Sequence, residues 1–176
     1  MINTLHYNSP LGDILLASHN EKLIGVWFEG QKYYPDNVSE NIVEREDKIL
    51  SKTKNWLDRY FNGEKPPINE LDLAPQGSEF RHEVWKILCE IPYGKTATYR
   101  DIGVKIAQNR GIEKMSAQAV GGAVGHNPIS IIIPCHRVIG SDGTLTGYAG
   151  GLDKKIFLLK HENAEFQSLQ NIDIEK

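Results

Sequence analysis

The chain has 176 residues, of which 40% are hydrophobic and 24% are charged, and its formal net charge at pH 7 is −3. This composition is typical of a globular protein with one domain or two small ones, and it excludes a strongly basic nucleic-acid coat protein. No apolar run is long enough to span a bilayer, the N-terminus lacks the layout of a signal peptide, and the two cysteines form no CxxC pattern. We therefore expect a cytoplasmic protein without a membrane segment, with both thiols free.

Residues 1–75 predict a small α/β domain. Two apolar stretches rich in strand formers, 13–18 and 23–29, flank a polar turn and indicate an antiparallel sheet. Residues 46–63 predict an amphipathic helix whose apolar stripe consists of Ile49, Leu50, Trp56, Leu57, Tyr60 and Phe61. Residues 63–77 contain three prolines and no strong period, so we interpret them as the connection to a second domain.

Residues 76–165 predict a mainly helical domain, followed by a polar tail at 166–176. Three residues can cap the helices expected at about 79–90, 99–108 and 117–125: Ser78, Thr98 and Ser116. The second and third of these helices, joined by a polar connection, resemble a helix-turn-helix. An extended run leads into Cys135, and Asp153 can cap a last helix.

The helix predicted at 117–125 has almost no side-chain bulk. Its small residues include Ala117, Ala119, Gly121 and Gly122. Each glycine costs a helix about 1 kcal/mol relative to alanine, so such glycines usually have a structural reason. Tight packing against another helix is one reason, and a backbone face that approaches a partner such as a DNA groove is another. Composition alone leaves both open.

Residues 130–140 place a thiol, an imidazole and a guanidinium in succession, at Cys135, His136 and Arg137. A cysteine after an apolar run is commonly a small core residue, and Cys89, on the apolar side of a helix with no base beside it, is an example. The alternative is a thiolate nucleophile, whose pKa must be lowered by a base or a positive charge.

An imidazole that serves this thiol would need a partner of its own. Since neighbours in an extended chain point to opposite faces, we expect His136 to act on Cys135 through a bridging water. A carboxylate would orient the imidazole, as in other thiol–imidazole–acid arrangements. The residues alone leave three candidates for that acid: Glu162, Asp101 and Asp142.

The sequence resembles the methylated-DNA–protein-cysteine methyltransferases, which remove alkyl groups from O6 of guanine. The resemblance is carried by NPISIIIPCHRVIG, followed by GYAGG and FLLKHE, and it extends over most of the chain. It implies a ribonuclease-H-like α/β N-terminal domain, with a small antiparallel sheet and a helix. A mainly α C-terminal domain with a winged-helix-like helix-turn-helix would follow.

The resemblance also implies roles for individual residues. Cys135 would accept the alkyl group, and His136 would be its water-linked base, oriented by Glu162. Tyr99 would donate a proton toward N3 of the guanine. The base would be held by Tyr148, Ala149 and Val138, with Asn127 bracing the turn. Contacts with DNA would come from Arg137 and from a recognition helix in the minor groove that contains Ala117, Gln118, Ala119, Gly121 and Gly122.

These roles describe a repair reaction that each molecule performs once. The partner would be double-stranded DNA with O6-alkylguanine, or also O4-methylthymine, flipped out of the stack into a pocket. The product thioether has no easy route back to a thiol. We expect a monomer that needs no cofactor, and no zinc, because no cysteine precedes position 89.

The recognition helix departs from the family pattern at Gln118, where an arginine is usual. Glutamine is shorter and uncharged, so we predict weaker duplex binding and base flipping, with partial rescue by Arg110 or Lys114.

Two functions other than repair are also compatible with a cysteine and a histidine in this position. A non-catalytic binder of alkylated bases would lack the acceptor cysteine, which is present here. A thiol hydrolase would need an oxyanion hole and would turn over repeatedly.

Overall fold

The computed structural model describes residues 1–31 and 41–166, which form two compact units. Among these residues, the first unit contains those of Met1–Gln76 together with Pro128–Ile132, and the second contains Gly77–Asn127 and residues 133–166. The tail expected from position 166 falls almost entirely outside the described residues. No helix within the described ranges is long and apolar enough to cross a membrane.

The first unit is a four-stranded sheet with one helix. The strands lie in the spatial order β3-β2-β1-β4, with the bounds β1 (Ile2–Ser9), β2 (Gly12–His19), β3 (Lys22–Phe28) and β4 (Ile42–Glu44). The first three strands pair antiparallel, as their short turns predict. The three-residue β4 pairs in parallel with β1, a long-range pairing that no local pattern signals.

Helix α1 (Lys48–Phe61) closes the first unit with the predicted apolar stripe. Asp47 caps its N-terminus by accepting a hydrogen bond from the Leu50 N–H. Trp56 and Tyr60 are buried, and the indole N–H of Trp56 donates to the carbonyl of Pro67 at 2.9 Å. The proline-rich connection is therefore tied back onto this helix.

The segment before the cysteine is not the extended run that we predicted. It contributes one bridge to β3, in which the N–H of Val26 donates to the Pro128 carbonyl at 2.8 Å and the N–H of Ser130 donates to the Val26 carbonyl at 3.0 Å. The chain then turns sharply at Ile131, whose φ of 71° is left-handed. A buried β-branched residue rarely adopts this conformation, which costs roughly 1–3 kcal/mol.

The second unit is mainly helical, as predicted. Its helices are α2 (Glu79–Leu88), α3 (Tyr99–Arg110), α4 (Ala117–Gly125) and α5 (Leu152–His161). Ser78, Thr98 and Ser116 cap the first three of these, and Thr98 forms a full capping box with Asp101. The expectation for Asp153 is wrong: α5 follows Gly151, whose φ is 100°, and Asp153 lies in the first helical turn.

Packing among α2, α3 and α4 builds the helix-turn-helix. The indole N–H of the buried Trp85 in α2 donates to the carbonyl of Ala123 in α4 at 2.9 Å. A Cβ added at Gly103 in α3 would lie 3.5 Å from the Met115 carbonyl oxygen and 3.8 Å from the Val120 side chain. The two helices of the motif therefore approach closely at this glycine.

Candidate active site

Cys135 begins a short 3₁₀ turn, Cys135–Arg137, directly after Pro134. The N–H of Cys135 donates to the carbonyl of Ile133 at 2.8 Å, which bends the backbone around the proline. The same carbonyl accepts a hydrogen bond from Nδ2 of the buried Asn127 at 2.8 Å. The side chain of Cys135 is only 6% exposed, so the thiol lies inside the domain.

His136 and Glu162 form a fully buried pair. Nε2 of the imidazole lies 2.6 Å from Oε2 of the carboxylate. Of the three acids left open by the sequence, Glu162 is the one that contacts His136: Asp101 caps α3, and Asp142 accepts from Thr144. Burial lowers the pKa of His136, which favours the neutral imidazole that a base requires.

The second nitrogen of this imidazole is available for chemistry. Nδ1 of His136 is buried and has no hydrogen-bond partner among the residues that the structure describes. With Nε2 held by Glu162, Nδ1 is the nitrogen that can take a proton.

Arg137 does not extend toward solvent, where the predicted DNA contact would place it. Its side chain is buried and its Nε donates to Oε1 of Glu162 at 2.7 Å, while Nη2 donates to Oε2 at 3.1 Å. Nη1 donates to the Ile91 carbonyl at 2.7 Å, and the guanidinium lies over the ring of Tyr93. The contact of Arg137 with DNA is thus a wrong expectation, because these interactions occupy its guanidinium.

The carboxylate of Glu162 is held in its charged form. The N–H of Gly94 also donates to it, at 3.2 Å, from the turn that follows Ile91. Burial alone would raise its pKa, but the hydrogen bonds from His136 and Arg137 and the charge of Arg137 hold the pKa of Glu162 well below its usual range. A fixed anion therefore orients the imidazole.

The thiol of Cys135 is subject to opposing effects. Burial raises its pKa, whereas hydrogen bonds from Asn127 and Tyr148 and the positive charge of Lys155 lower it. Lys155, in α5, has a fully buried side chain whose Nζ donates to the Thr146 carbonyl at 3.4 Å. Burial lowers the pKa of this ammonium to about 8. Lys155 was not predicted as a site residue from the sequence, because lysines on amphipathic helices are usually solvated.

A two-residue strand brings Tyr99 to the same region. β5 (Ala97–Thr98) pairs in parallel with β6 (Val138–Ile139), which directly follows the Cys-His-Arg turn. The hydroxyl of Thr146 donates to the phenol oxygen of Tyr99 at 2.9 Å. Burial raises the pKa of Tyr99, and the hydrogen bond from Thr146 opposes that rise. Like Lys155, Thr146 was not predicted as a site residue, because it belongs to no motif that the sequence analysis recognised.

The remaining pocket residues surround this centre. The fully buried Val138 donates its N–H to the Cys135 carbonyl, and Tyr148 and Ala149 are half-buried in the loop before α5. The Tyr148 carbonyl accepts from the N–H of Gly151 at 2.9 Å, which turns the loop into the helix. The structure thus brings the predicted thiol, imidazole, acid and pocket residues together.

The predicted recognition helix presents an open face. Ala117, Gln118, Ala119 and Gly122 are exposed. Cβ atoms built at Gly122 or Gly125 would meet no other atom within 4 Å, and one built at Gly121 would only touch the Tyr99 ring at 4.0 Å. Within the described chain, tight helix packing therefore does not account for Gly122 and Gly125 of α4.

Of the two cations expected to assist Gln118, one is already engaged. Arg110 pairs with Glu83 through bonds of 2.7 and 3.0 Å and lies over the ring of Phe80. Lys114 lies instead on the rim of an open groove of about 940 Å³ beside α3, together with Arg100 and Tyr99. Of these two cations, Lys114 shares the groove with Ala117, the first residue of the recognition helix.

Within 1–31 and 41–166, no three His, Cys, Asp or Glu side chains come together in a way that could hold a metal ion. The expectation of a metal-free protein stays a prediction.

Comparisons with known proteins identify both units. Residues 4–75 match the ribonuclease-like domain of the 6-O-methylguanine DNA methyltransferases, and residues 79–164 match the DNA binding domain of the same family. The chain is 40% identical over 161 residues to a methylated-DNA–protein-cysteine methyltransferase of Haemophilus influenzae, covering 92% of this chain and 86% of that protein. It is 48% identical over 155 residues to the protein of that name from Methanosarcina barkeri, covering 88% and 92%.

Solved structures agree with the sequence comparisons. The crystal structure of Mycobacterium tuberculosis OGT in complex with DNA matches with a TM-score of 0.80 and 38% identity, over 92% of this chain and 94% of that one. The resemblance inferred from the sequence and the two-domain fold class are confirmed. The chain belongs to the O6-methylguanine DNA methyltransferase family.

Proposed function

We propose that this protein repairs O6-methylguanine in DNA by transferring the methyl group irreversibly to Sγ of Cys135. The observation that supports this most is the buried turn that carries Cys135 and His136, with the imidazole of His136 2.6 Å from the carboxylate of Glu162. Such an arrangement suits a thiol nucleophile. Family membership supports the reaction, and the geometry supports the acceptor. Larger O6-alkyl groups and O4-methylthymine belong to the same proposal.

The thiol is activated by groups that surround it. His136 takes the thiol proton at Nδ1 through a bridging water, and Glu162 holds the imidazole in the required tautomer. The ammonium of Lys155 stabilises the thiolate that forms, because a buried cation acts with little screening. Arg137 keeps Glu162 charged, so it acts one step further from the reacting atoms.

The departing guanine needs help as well, since its anion is a poor leaving group. Tyr99 donates its phenol proton to N3, and N–H groups of the loop at Tyr148 and Ala149 face O6. The carbonyls of Cys135 and Val138 accept from the exocyclic amine. Fixed donors and dipoles of this kind stabilise charge where it develops, without a cofactor.

The base reaches this pocket only after leaving the stack. The open face of α4 lies in the minor groove of double-stranded DNA, where the small residues Ala117, Ala119, Gly121 and Gly122 allow the helix backbone to approach. Gln118 occupies the position of the usual arginine and binds duplex DNA less well, with partial help from Lys114. We also propose that the protein acts as a cytoplasmic monomer, because one thiol and one site are enough.

The two other functions predict different products. A non-catalytic binder of alkylated bases would leave Cys135 unmodified, and a thiol hydrolase would release product repeatedly.

Substitution of each cysteine in turn tests the proposal, with Cys89 as the control. C135S should abolish removal of the methyl group from an oligonucleotide that contains O6-methylguanine. C89S should leave removal unchanged, because burial raises the pKa of Cys89 to about 11 and no base adjoins it. Repair by C135S at the normal rate would refute the proposal.

A further inference from the structure

We infer that Thr146 is a positioning residue that prepares Tyr99 to donate its proton to the departing base. The inference rests on the proposed function, in which Tyr99 is the acid. It concerns a residue of the loop before α5 to which neither the sequence analysis nor the family resemblance assigned a role.

Thr146 is held at two points. Its carbonyl accepts from Nζ of Lys155 at 3.4 Å, and its hydroxyl donates to the phenol oxygen of Tyr99 at 2.9 Å. Lys155 is fully buried in α5, and Tyr99 follows β5, which pairs with β6 beside the reactive turn. The loop residue therefore connects the buried cation near Cys135 to the phenol across the pocket.

The hydrogen bond has the direction that proton donation needs. A phenol oxygen that accepts from Thr146 keeps its own hydrogen for another acceptor. A donor to this oxygen also stabilises the phenolate, because a hydrogen bond to the charged form favours that form. This opposes burial, which raises the pKa of Tyr99 and would otherwise make the phenol a weaker acid.

The step balances as a simple exchange. The thiolate of Cys135 forms the S–C bond as the C–O6 bond breaks, and the electron pair of that bond stays with the guanine. N3 takes the phenol proton of Tyr99, while the hydroxyl of Thr146 remains bonded to the phenolate oxygen. Solvent then returns to Tyr99 a proton equivalent to the one that the thiol released. Overall, the methyl group moves from O6 of guanine to Sγ of Cys135, and the guanine gains one proton while the thiol loses one.

Single-turnover rates of three variants test this inference. T146V keeps the shape of the side chain and removes the hydroxyl, T146S keeps the hydroxyl, and T144V makes the same change in the same loop at a hydroxyl bonded to Asp142. With O6-methylguanine DNA we expect T146V to be about tenfold slower than wild type, a factor equivalent to about 1.4 kcal/mol. T146S should recover the rate to within about threefold, and T144V should stay within about twofold of wild type.

A modified substrate separates positioning of the acid from general damage to the loop. In 3-deaza-O6-methylguanine a C–H group replaces N3, so no proton can be received there. The reaction with this base should be slow for wild type and T146V alike, within about twofold of each other. An equal tenfold loss on both bases, or no loss for T146V on O6-methylguanine, would overturn the inference. Failure of the proposed function would instead show in the wild-type arm, as absence of methyl transfer from O6-methylguanine.

Discussion

Replacing Lys155 by methionine should make the protein more stable and less active. The ammonium is fully buried, and the carbonyl of Thr146 accepts its hydrogen bond at 3.4 Å. In our account this ammonium stabilises the Cys135 thiolate during the reaction. In the resting protein it is a buried charge that lowers the stability of the fold. Such preorganisation commonly lowers stability.

The size of the effect follows from the pKa. Burial lowers the pKa of Lys155 from its ordinary 10.5 to about 8. At about 1.36 kcal/mol for each pH unit, this difference destabilises the folded protein by about 3 kcal/mol at neutral pH. Methionine has a similar volume and carries no charge, so K155M should gain most of this free energy, less about 1 kcal/mol for repacking.

The gain should depend on pH in a defined direction. Below about pH 8 the folded and unfolded chains both hold the proton, and the full penalty is present. Between about pH 8 and 10.5 the unfolded chain keeps the proton that the folded chain has lost, so the stability of wild type rises with pH. The advantage of K155M should therefore shrink across this window.

Urea unfolding at pH 7 and pH 10 measures both effects, and a single-turnover assay measures the activity. We expect K155M to transfer methyl at least about tenfold more slowly, as for loss of a contact to a charged group. K154M, in the same helix but only half-buried, should change stability by less than about 0.5 kcal/mol at both pH values. The reasoning is refuted if K155M is less stable than wild type at pH 7, or if its advantage does not change with pH.

Three further substitutions test other parts of the account. Q118R should raise the affinity for duplex DNA and steepen its dependence on log salt concentration by about one, because an added phosphate contact releases about one counterion. R137M should lower the free energy of unfolding by about 3 kcal/mol, since it leaves the buried carboxylate of Glu162 without its bidentate partner. G122A should stabilise the free protein by up to about 1 kcal/mol, as its methyl group meets no atom, yet weaken DNA binding at the recognition face.

Each of these has an outcome that would contradict it. An unchanged salt dependence for Q118R would mean that position 118 does not face phosphate. A loss below about 1 kcal/mol for R137M would mean that Glu162 is stabilised without Arg137. Normal DNA affinity in G122A would contradict the proposal that the open face of α4 binds the groove. Salt titrations with intact duplex measure the DNA affinity of these variants.

Features encoded over a few residues could be predicted from the sequence. The capping residues Ser78, Thr98 and Ser116 begin the helices that their side chains favour, since a cap bonds only two or three residues ahead. The strands 13–18 and 23–29 likewise follow from apolar composition and short turns.

Features that depend on distant contacts could not. The family resemblance implied a contact with DNA for Arg137, but its partners Glu162 and Ile91 come from other segments of the chain. Lys155 has the local pattern of a solvated helix residue, and only tertiary packing buries it. The left-handed backbone of Ile131 contradicts its own preference, so surrounding packing must impose it.

The most direct test of the central claim is to count methyl groups. Wild-type protein is incubated with a tenfold excess of DNA containing O6-methylguanine, and the methyl groups on protein are counted and located by mass spectrometry of the intact chain and its peptides. Our account predicts that transfer stops at one methyl group for each chain and that this group is on Cys135. Continued demethylation beyond one equivalent, or a methyl group on Cys89, would contradict it.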